Sequence, residues 1–156
     1  MKSYGYVKIA AVSPEVRVGD TTFNVNKMIE ALHKVKEKHP SFVNFPELAI
    51  TGYSIGDLVF QNHLYDASVK AVEYLLKHNP YDGVVIFGNL YKHNDIMYNV
   101  SFVIQKNEIL GIIPKYYLPQ TREFHESRWF GSGVNIVDTV KEVSYLGKTV
   151  PFGKLL

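Results

Sequence analysis

No cysteine occurs anywhere in the 156 residues. Disulfides, thiolate metal sites and a thiol nucleophile are therefore excluded within this sequence. A large excess of one charge is also lacking: 17 Lys and Arg face 15 Asp and Glu, a net charge of +2. That balance does not make the basic face that nucleic acid requires. The densest basic run, HKVKEKH at 33–39, is interleaved with apolar and acidic residues in the manner of the solvated side of a helix. No apolar run reaches membrane-spanning length. The N-terminal MKSYGYVKIAAV has no small-residue cleavage site and reads as a strand rather than a signal peptide. A cytoplasmic protein with no nucleic-acid and no membrane partner is expected. Low-complexity tracts and internal repeats are missing too. The six histidines (His33, His39, His63, His78, His93, His125) show no paired metal spacing, with His125 read as a bystander. No phosphate-binding glycine pattern appears, so neither a metal nor a nucleotide cofactor is expected in this segment.

What is present suits one globular domain: 46% of residues are hydrophobic, with 11 Tyr and 9 Phe. YGYVKIAAV (4–12) reads as a buried strand. From Asn24, a candidate N-cap, apolar residues recur at Val25, Met28, Ile29, Leu32 and Val35, which is helical spacing stopped by Pro40. SFVNF (41–45) is a second strand. Residues 56–80 read as a short helix running into a longer one, and 82–91 as a third strand after Asp82-Gly83. KHND then turns the chain. Residues 96–105 and 108–118 form strands joined at Lys106-Asn107 in a hairpin. Residues 119–135 are irregular, polar and aromatic. The tail KEVSYLGKTVPFG predicts one more hairpin, turning at Gly147-Lys148. Helices between the early strands suggest layered α/β packing. The later hairpins argue for a mixed sheet faced by helices, not a wholly parallel one.

FPELAITGYS (45–54) sets one carboxylate, Glu47, among Phe45, Leu48, Ile50 and Tyr53. Pro46 fixes its own φ and biases Phe45 to extended geometry, so the Glu stands at the end of a strand. Apolar neighbours would penalise the charged form and suit the group to general-base work. The other reading is a carboxylate that caps a turn or helix. IIPKYYLP repeats the arrangement with the opposite charge: Lys115 follows an apolar strand and a proline. It is either a surface lysine or a cation that meets Glu47 at one edge of one sheet.

FPELAITGYSIGDL together with PKYYLPQTREFHESRWF resembles the carbon–nitrogen hydrolase (nitrilase-like) superfamily. The likeness is strongest to the branch formed by the glutaminase domains of glutamine-dependent NAD synthetases, and it spans nearly the whole chain. The resemblance implies an α-β-β-α sandwich of mixed sheets faced by helices. It implies a Glu–Lys–Cys triad in which Glu47 is the base, Lys115 stabilises the oxyanion and a cysteine attacks the side-chain amide of glutamine. Ammonia released there would pass to an ATP- and magnesium-dependent synthetase domain, which amidates nicotinic acid adenine dinucleotide to NAD. Tyr53, Thr121, Phe124 and Glu126 would be the substrate-binding positions. Phe124 would line the glutamine pocket, and Glu126 would sit near Lys115. Thr121 departs from the Tyr usual in this branch. Tyr53 and Phe124 can also be packed core aromatics, and Glu126 an acid on a helix face. A homo-oligomer is implied as well.

The triad's cysteine is not in these residues. The sandwich is therefore expected to be incomplete at the C-terminus, with 1–156 a partial glutaminase domain and the synthetase domain absent from the chain. On that expectation the chain is a fragment of a larger, glutamine-hydrolysing ligase and is inactive alone. Two alternatives stay open: a free-standing nitrilase-superfamily amidase acting on a small amide, and a cysteine-less interaction module without catalysis.

Overall fold

A computed structural model describes residues 5–136 and 138–153. Its regular elements are β1 (Ile9–Ala11), α1 (Thr21–Lys36), β2 (Phe42–Asn44), α2 (Asn62–His78), β3 (Val84–His93), β4 (Ile96–Gln105), β5 (Glu108–Pro114), β6 (Glu142–Tyr145) and β7 (Lys148–Pro151). Three 3-10 turns, Tyr53–Phe60, Glu126–Arg128 and Gly133–Asn135, complete the order. The five strands β1-β2-β3-β4-β5 form one sheet in that spatial order, and β6 pairs with β7. β1, β2 and β3 run parallel, as strands joined through helices do. β3, β4 and β5 are antiparallel hairpin neighbours. The result is the mixed α/β sheet expected from the sequence.

Side-chain parity sorts the sheet into two unlike faces. Val43, Val85, Phe87, Tyr91, Val100, Phe102 and Ile104 share one parity and one core with Val25, Met28 and Leu32 of α1, Val72 and Leu75 of α2, and Tyr145 and Phe152 of the tail hairpin. On the other parity Phe42 and Asn44 are exposed, and Val84, Ile86, Ser101 and Val103 are only half-buried. Gly88, Leu90 and Asn99 are buried exceptions on this parity. Leu90 is fully buried in a second, smaller core with Leu48, Ile55, Val59, Leu64 and Phe130. That small core seats the loops that carry the candidate site.

Several local expectations need correcting. α1 begins three residues before Asn24: Asp20 is the N-cap, its Oδ1 accepting from Phe23 N–H at 2.9 Å. Asn24 instead lies buried and ties two loops. Its Nδ2 donates to the carbonyls of Arg17 and Ile50, and its Oδ1 accepts from Arg17 N–H. The first strand is three residues, not nine. Ile9 is 65% exposed on it, because it lies beside Phe42 on the open face of the sheet; residue 4 lies outside the described residues. The third hairpin strand stops at Pro114, not at residue 118. The tail hairpin turns on Leu146-Gly147, one residue earlier than expected, because both residues take positive φ (50° and 72°), as a two-residue primed turn requires.

Candidate active site

Glu47 follows Pro46 at the end of β2 and opens a turn over residues 47–51. Phe45, Leu48 and Ile50 turn into the core, while the Glu47 side chain stays 38% exposed. The apolar neighbours therefore pack beneath the carboxylate instead of around it, which corrects the expectation that they bury it. The turn is pressed against the middle of β3. A Cβ on Gly88 would lie 2.3 Å from Leu48 N and 2.6 Å from Glu47 Cα, so no other residue fits there unless the Glu47 backbone moves. Gly88 N–H also donates to Pro46 C=O at 3.1 Å.

Lys115 is the first residue after β5. Its N–H continues the ladder by donating to Asn99 C=O at 2.8 Å, and its own C=O accepts from Gly133 N–H at 2.8 Å. These bonds aim the ammonium at Glu47. Nζ stands 2.7 Å from Glu47 Oε1, and 3.0 and 2.9 Å from the two oxygens of Glu126. Glu126, 3% exposed, opens the 3-10 turn Glu126–Arg128. Burial pulls the Lys115 pKa down, but its hydrogen bonds to Glu47 and Glu126, with their charges, outweigh that and leave it raised. The lysine is thus held fully charged at neutral pH, with one carboxylate on each side.

Of the positions singled out in the sequence, four converge: Glu47, Lys115, Glu126 and Tyr53. The Tyr53 hydroxyl donates to Glu126 Oε1 at 3.1 Å. Burial, and then that bond to a carboxylate, push its phenol pKa up, so it stays a donor. Tyr53 is 48% exposed and Phe124 37%, which removes the core-aromatic reading for both. Phe124 lines a cavity of about 270 Å3 with Tyr53, Ile55, Glu126, Trp129 and Phe130. Thr121 lies apart from these groups. It is exposed in the bend before Phe124, where its C=O accepts from Phe124 N–H. A second cavity, of about 350 Å3, is more polar and lies on the half-open face of the sheet, bounded by Glu47, Gly88, Asn99, Ser101 and Lys115. Glu126 borders the first cavity, and Glu47 and Lys115 border the second.

Two groups were missed in the sequence. Asn99 on β4 is 3% exposed, and its Nδ2 donates to Glu47 Oε1. The two residues are 52 apart in the chain, and no local pattern links them. Asp57 accepts from Arg128 Nε and Nη2 at 2.9 and 2.8 Å and from Trp129 Nε1 at 2.7 Å, tying Tyr53–Phe60 to Glu126–Arg128. Those donors hold its carboxyl well below the usual carboxylate range. Among the described residues no cluster of His, Asp and Glu could hold a metal ion, and no helix is long and apolar enough to cross a membrane.

Residues 8–154 match the family model described as carbon-nitrogen hydrolase. The glutamine-dependent NAD(+) synthetase of Mycobacterium tuberculosis is 32% identical over 131 residues, which cover 83% of this chain and 19% of that protein. The enzyme of the same description from Aquifex aeolicus is 36% identical over 117 residues, covering 74% of this chain and 20% of that one. The chain therefore spans about a fifth of the length of these curated relatives. Among solved structures, a glutamine-dependent NAD(+) synthetase from Cytophaga hutchinsonii superposes with a TM-score of 0.84 at 21% identity, over 96% of this chain and 25% of that one. One from Acinetobacter baumannii, in complex with ADP, gives 0.76 at 28% identity, over 92% and 26%. An amidase from Nesterenkonia sp. shares the fold at 0.67 and 15% identity, over 92% of this chain and 53% of that one.

Proposed function

The chain belongs to the carbon–nitrogen hydrolase family, and we propose that it forms part of the glutamine-hydrolysing unit of a glutamine-dependent NAD synthetase. One observation carries the reading: the Lys115 ammonium is fixed between Glu47 and Glu126 at a half-open sheet face. A carboxylate beside a preorganised cation is what amide hydrolysis through a thioester needs. Glu47 takes the proton of the attacking thiol and returns it to the departing ammonia. Lys115 lies where charge develops on the amide oxygen, and loss of one such donor costs about 3 kcal/mol in the transition state. Glu126 holds Lys115 from behind, so the lysine does not simply neutralise the base. Tyr53 and Phe124 border the substrate, and Thr121 lies outside this border. The thiol is supplied by a cysteine outside these 156 residues.

The names of the relatives and the share of their length that the chain spans support the rest of the reading. Residues 1–156 make up part of the glutaminase unit. A separate synthetase unit holds ATP and magnesium and uses the ammonia to amidate nicotinic acid adenine dinucleotide. The protein is cytoplasmic and homo-oligomeric on this reading.

The test is made in the complete protein. Lys115→Ala should abolish NAD formation from glutamine and leave NAD formation from free ammonia in place. The 156-residue chain alone should release no glutamate, because a base and a cation do not replace a nucleophile. Glutamine-dependent NAD formation that survives Lys115→Ala would overturn the reading. A protein that hydrolyses a small amide and makes no NAD would be a free-standing amidase instead.

A further inference from the structure

Glu47 is bonded through one of its two oxygens. Oε1 accepts from Asn99 Nδ2 and from Lys115 Nζ. Oε2 receives no hydrogen bond among the described residues, on a side chain 38% exposed and bordering the polar cavity. Asn99 is 3% exposed, so its amide has no free rotation in water. The opposite amide orientation would place its Oδ1 against a carboxylate oxygen, which is repulsive. The same residue fixes the other partner: Asn99 C=O receives the Lys115 N–H at 2.8 Å. Its strand partner Leu90 is fully buried, which pins β4 at this position. Asn99 therefore sets the position of the carboxylate through its side chain and of the lysine through its main chain.

We infer that Asn99 is a positioning residue that commits Oε1 of Glu47 to the Asn99–Lys115 pair and leaves Oε2 as the oxygen that exchanges the proton. The inference rests on the reading of Glu47 as the base. Two donors on Oε1 stabilise negative charge there and hold the carboxylate plane still. The unbonded oxygen is left with its lone pairs open to the cavity. A carboxylate free to rotate would offer the thiol either oxygen and spend part of its time with neither aimed at it. The charged and titratable groups around Glu47 are Lys115, Glu126 and Tyr53. None of them is bonded to Oε2 in their place.

Two substitutions separate positioning from packing. Asn99→Asp keeps the shape, removes the donor and sets a second acid against Glu47, and Asn99→Leu removes all polarity without adding a charge. In the complete protein both should lower kcat for glutamine by about tenfold or more while KM stays within about twofold, as expected for a group that acts only on the chemical step. A purely structural role would let a folded Asn99→Leu keep its kcat. A second readout needs no turnover. In the 15N spectrum of the complete protein, one Asn99 side-chain amide proton should lie downfield and exchange slowly, and Glu47→Gln should return it to the ordinary position. An Asn99→Asp or folded Asn99→Leu enzyme with unreduced kcat, or an Asn99 amide indifferent to Glu47→Gln, overturns the inference. If Asn99→Leu does not fold, Asn99→Asp and the spectrum decide. If Lys115→Ala abolishes glutamine use and Asn99→Asp does not lower kcat, only the role of Asn99 falls. If Lys115→Ala has no effect, the reading of Glu47 falls, and the inference falls with it.

Discussion

Lys115 and Lys92 each bond a carboxylate, yet the two pairs differ in kind. Lys92 reaches Asp95 at 3.2 Å, where the acid is 96% exposed, and such surface pairs contribute little. Lys115 reaches Glu47 and the 4%-exposed side chain of Glu126. Removing its charge leaves Glu126 buried without its cation and brings two carboxylates face to face. Lys115→Met should therefore lower stability by about 1–2 kcal/mol, discounted from the fully buried case because the ammonium is itself 27% exposed. Lys92→Met should cost about 0.5 kcal/mol or less. Paired urea titrations check this, and equal losses would mean that the site adds nothing beyond an ordinary ion pair. At this scale Glu47 and Lys115 stood out in the sequence because each follows a proline at a strand end, a mark written in adjacent residues. Asn99 carried no such mark. Its role depends on β4 lying beside β3 and on the turn after β2 folding back over Gly88, and neither juxtaposition is local.

The elements that build the substrate side are joined by two acids, Glu126 through Tyr53 and Asp57 through a clamp of three bonds. Asp57 joins the turn Tyr53–Phe60 to Glu126–Arg128 through Arg128 and Trp129, residues 71 and 72 positions away. Its folded pKa is depressed, chiefly by the Arg128 hydrogen bonds and then by that of Trp129. The sign follows from linkage: a depressed carboxylate stabilises the fold fully above its unfolded value of about 3.9, and loses that stabilisation as pH falls below it toward the folded value. Trp129 is the single tryptophan, so its emission reports the clamp directly. Emission should be constant from neutral pH down to about 4 and should change below that. Asp57→Asn should remove this acid step and show the altered emission at every pH; an acid step that persists in Asp57→Asn would place its origin elsewhere. The same contrast explains which elements were legible. α1, α2 and the hairpins are encoded by apolar spacing and by turn residues next to them. The two site turns take their shape from a bond between distant residues. β1 was read too long because apolar composition does not distinguish an edge strand from a buried one.

The whole molecule is a sheet finished on one face. α1, α2 and the β6–β7 hairpin close one side around Phe87 and Phe102, while on the other side Ile9 is 65% and Phe42 37% exposed, adjacent in register across β1 and β2. Parallel strands are ordinarily covered on both faces, and β1, β2 and β3 are the parallel part of this sheet. Around Leu90 that second face is covered by the small core with Leu48, Ile55, Val59, Leu64 and Phe130, but over β1 and β2 it is left open at Ile9 and Phe42. It is also the face that carries Asn99 and, at its end, Glu47 and Lys115, so whatever covers it also walls the site. Apolar patches of this kind drive association, and β1 leaves one strand edge of the sheet unpaired beside the patch. The 156-residue chain in isolation should therefore self-associate as its concentration rises, through this face and not through the helices. Phe42→Lys places a charge in the middle of the exposed stripe and should shift the chain toward monomer. It should leave the helix content unchanged, because Phe42 lies outside the core that holds α1 and α2. Light scattering across a dilution series, with circular dichroism alongside, reads both effects. A chain that stays monomeric at every concentration would mean that this face tolerates water, and the site would then need no second layer to be formed. An associated chain that Phe42→Lys leaves unchanged would move the contact to the helical side, away from the groups that perform the chemistry.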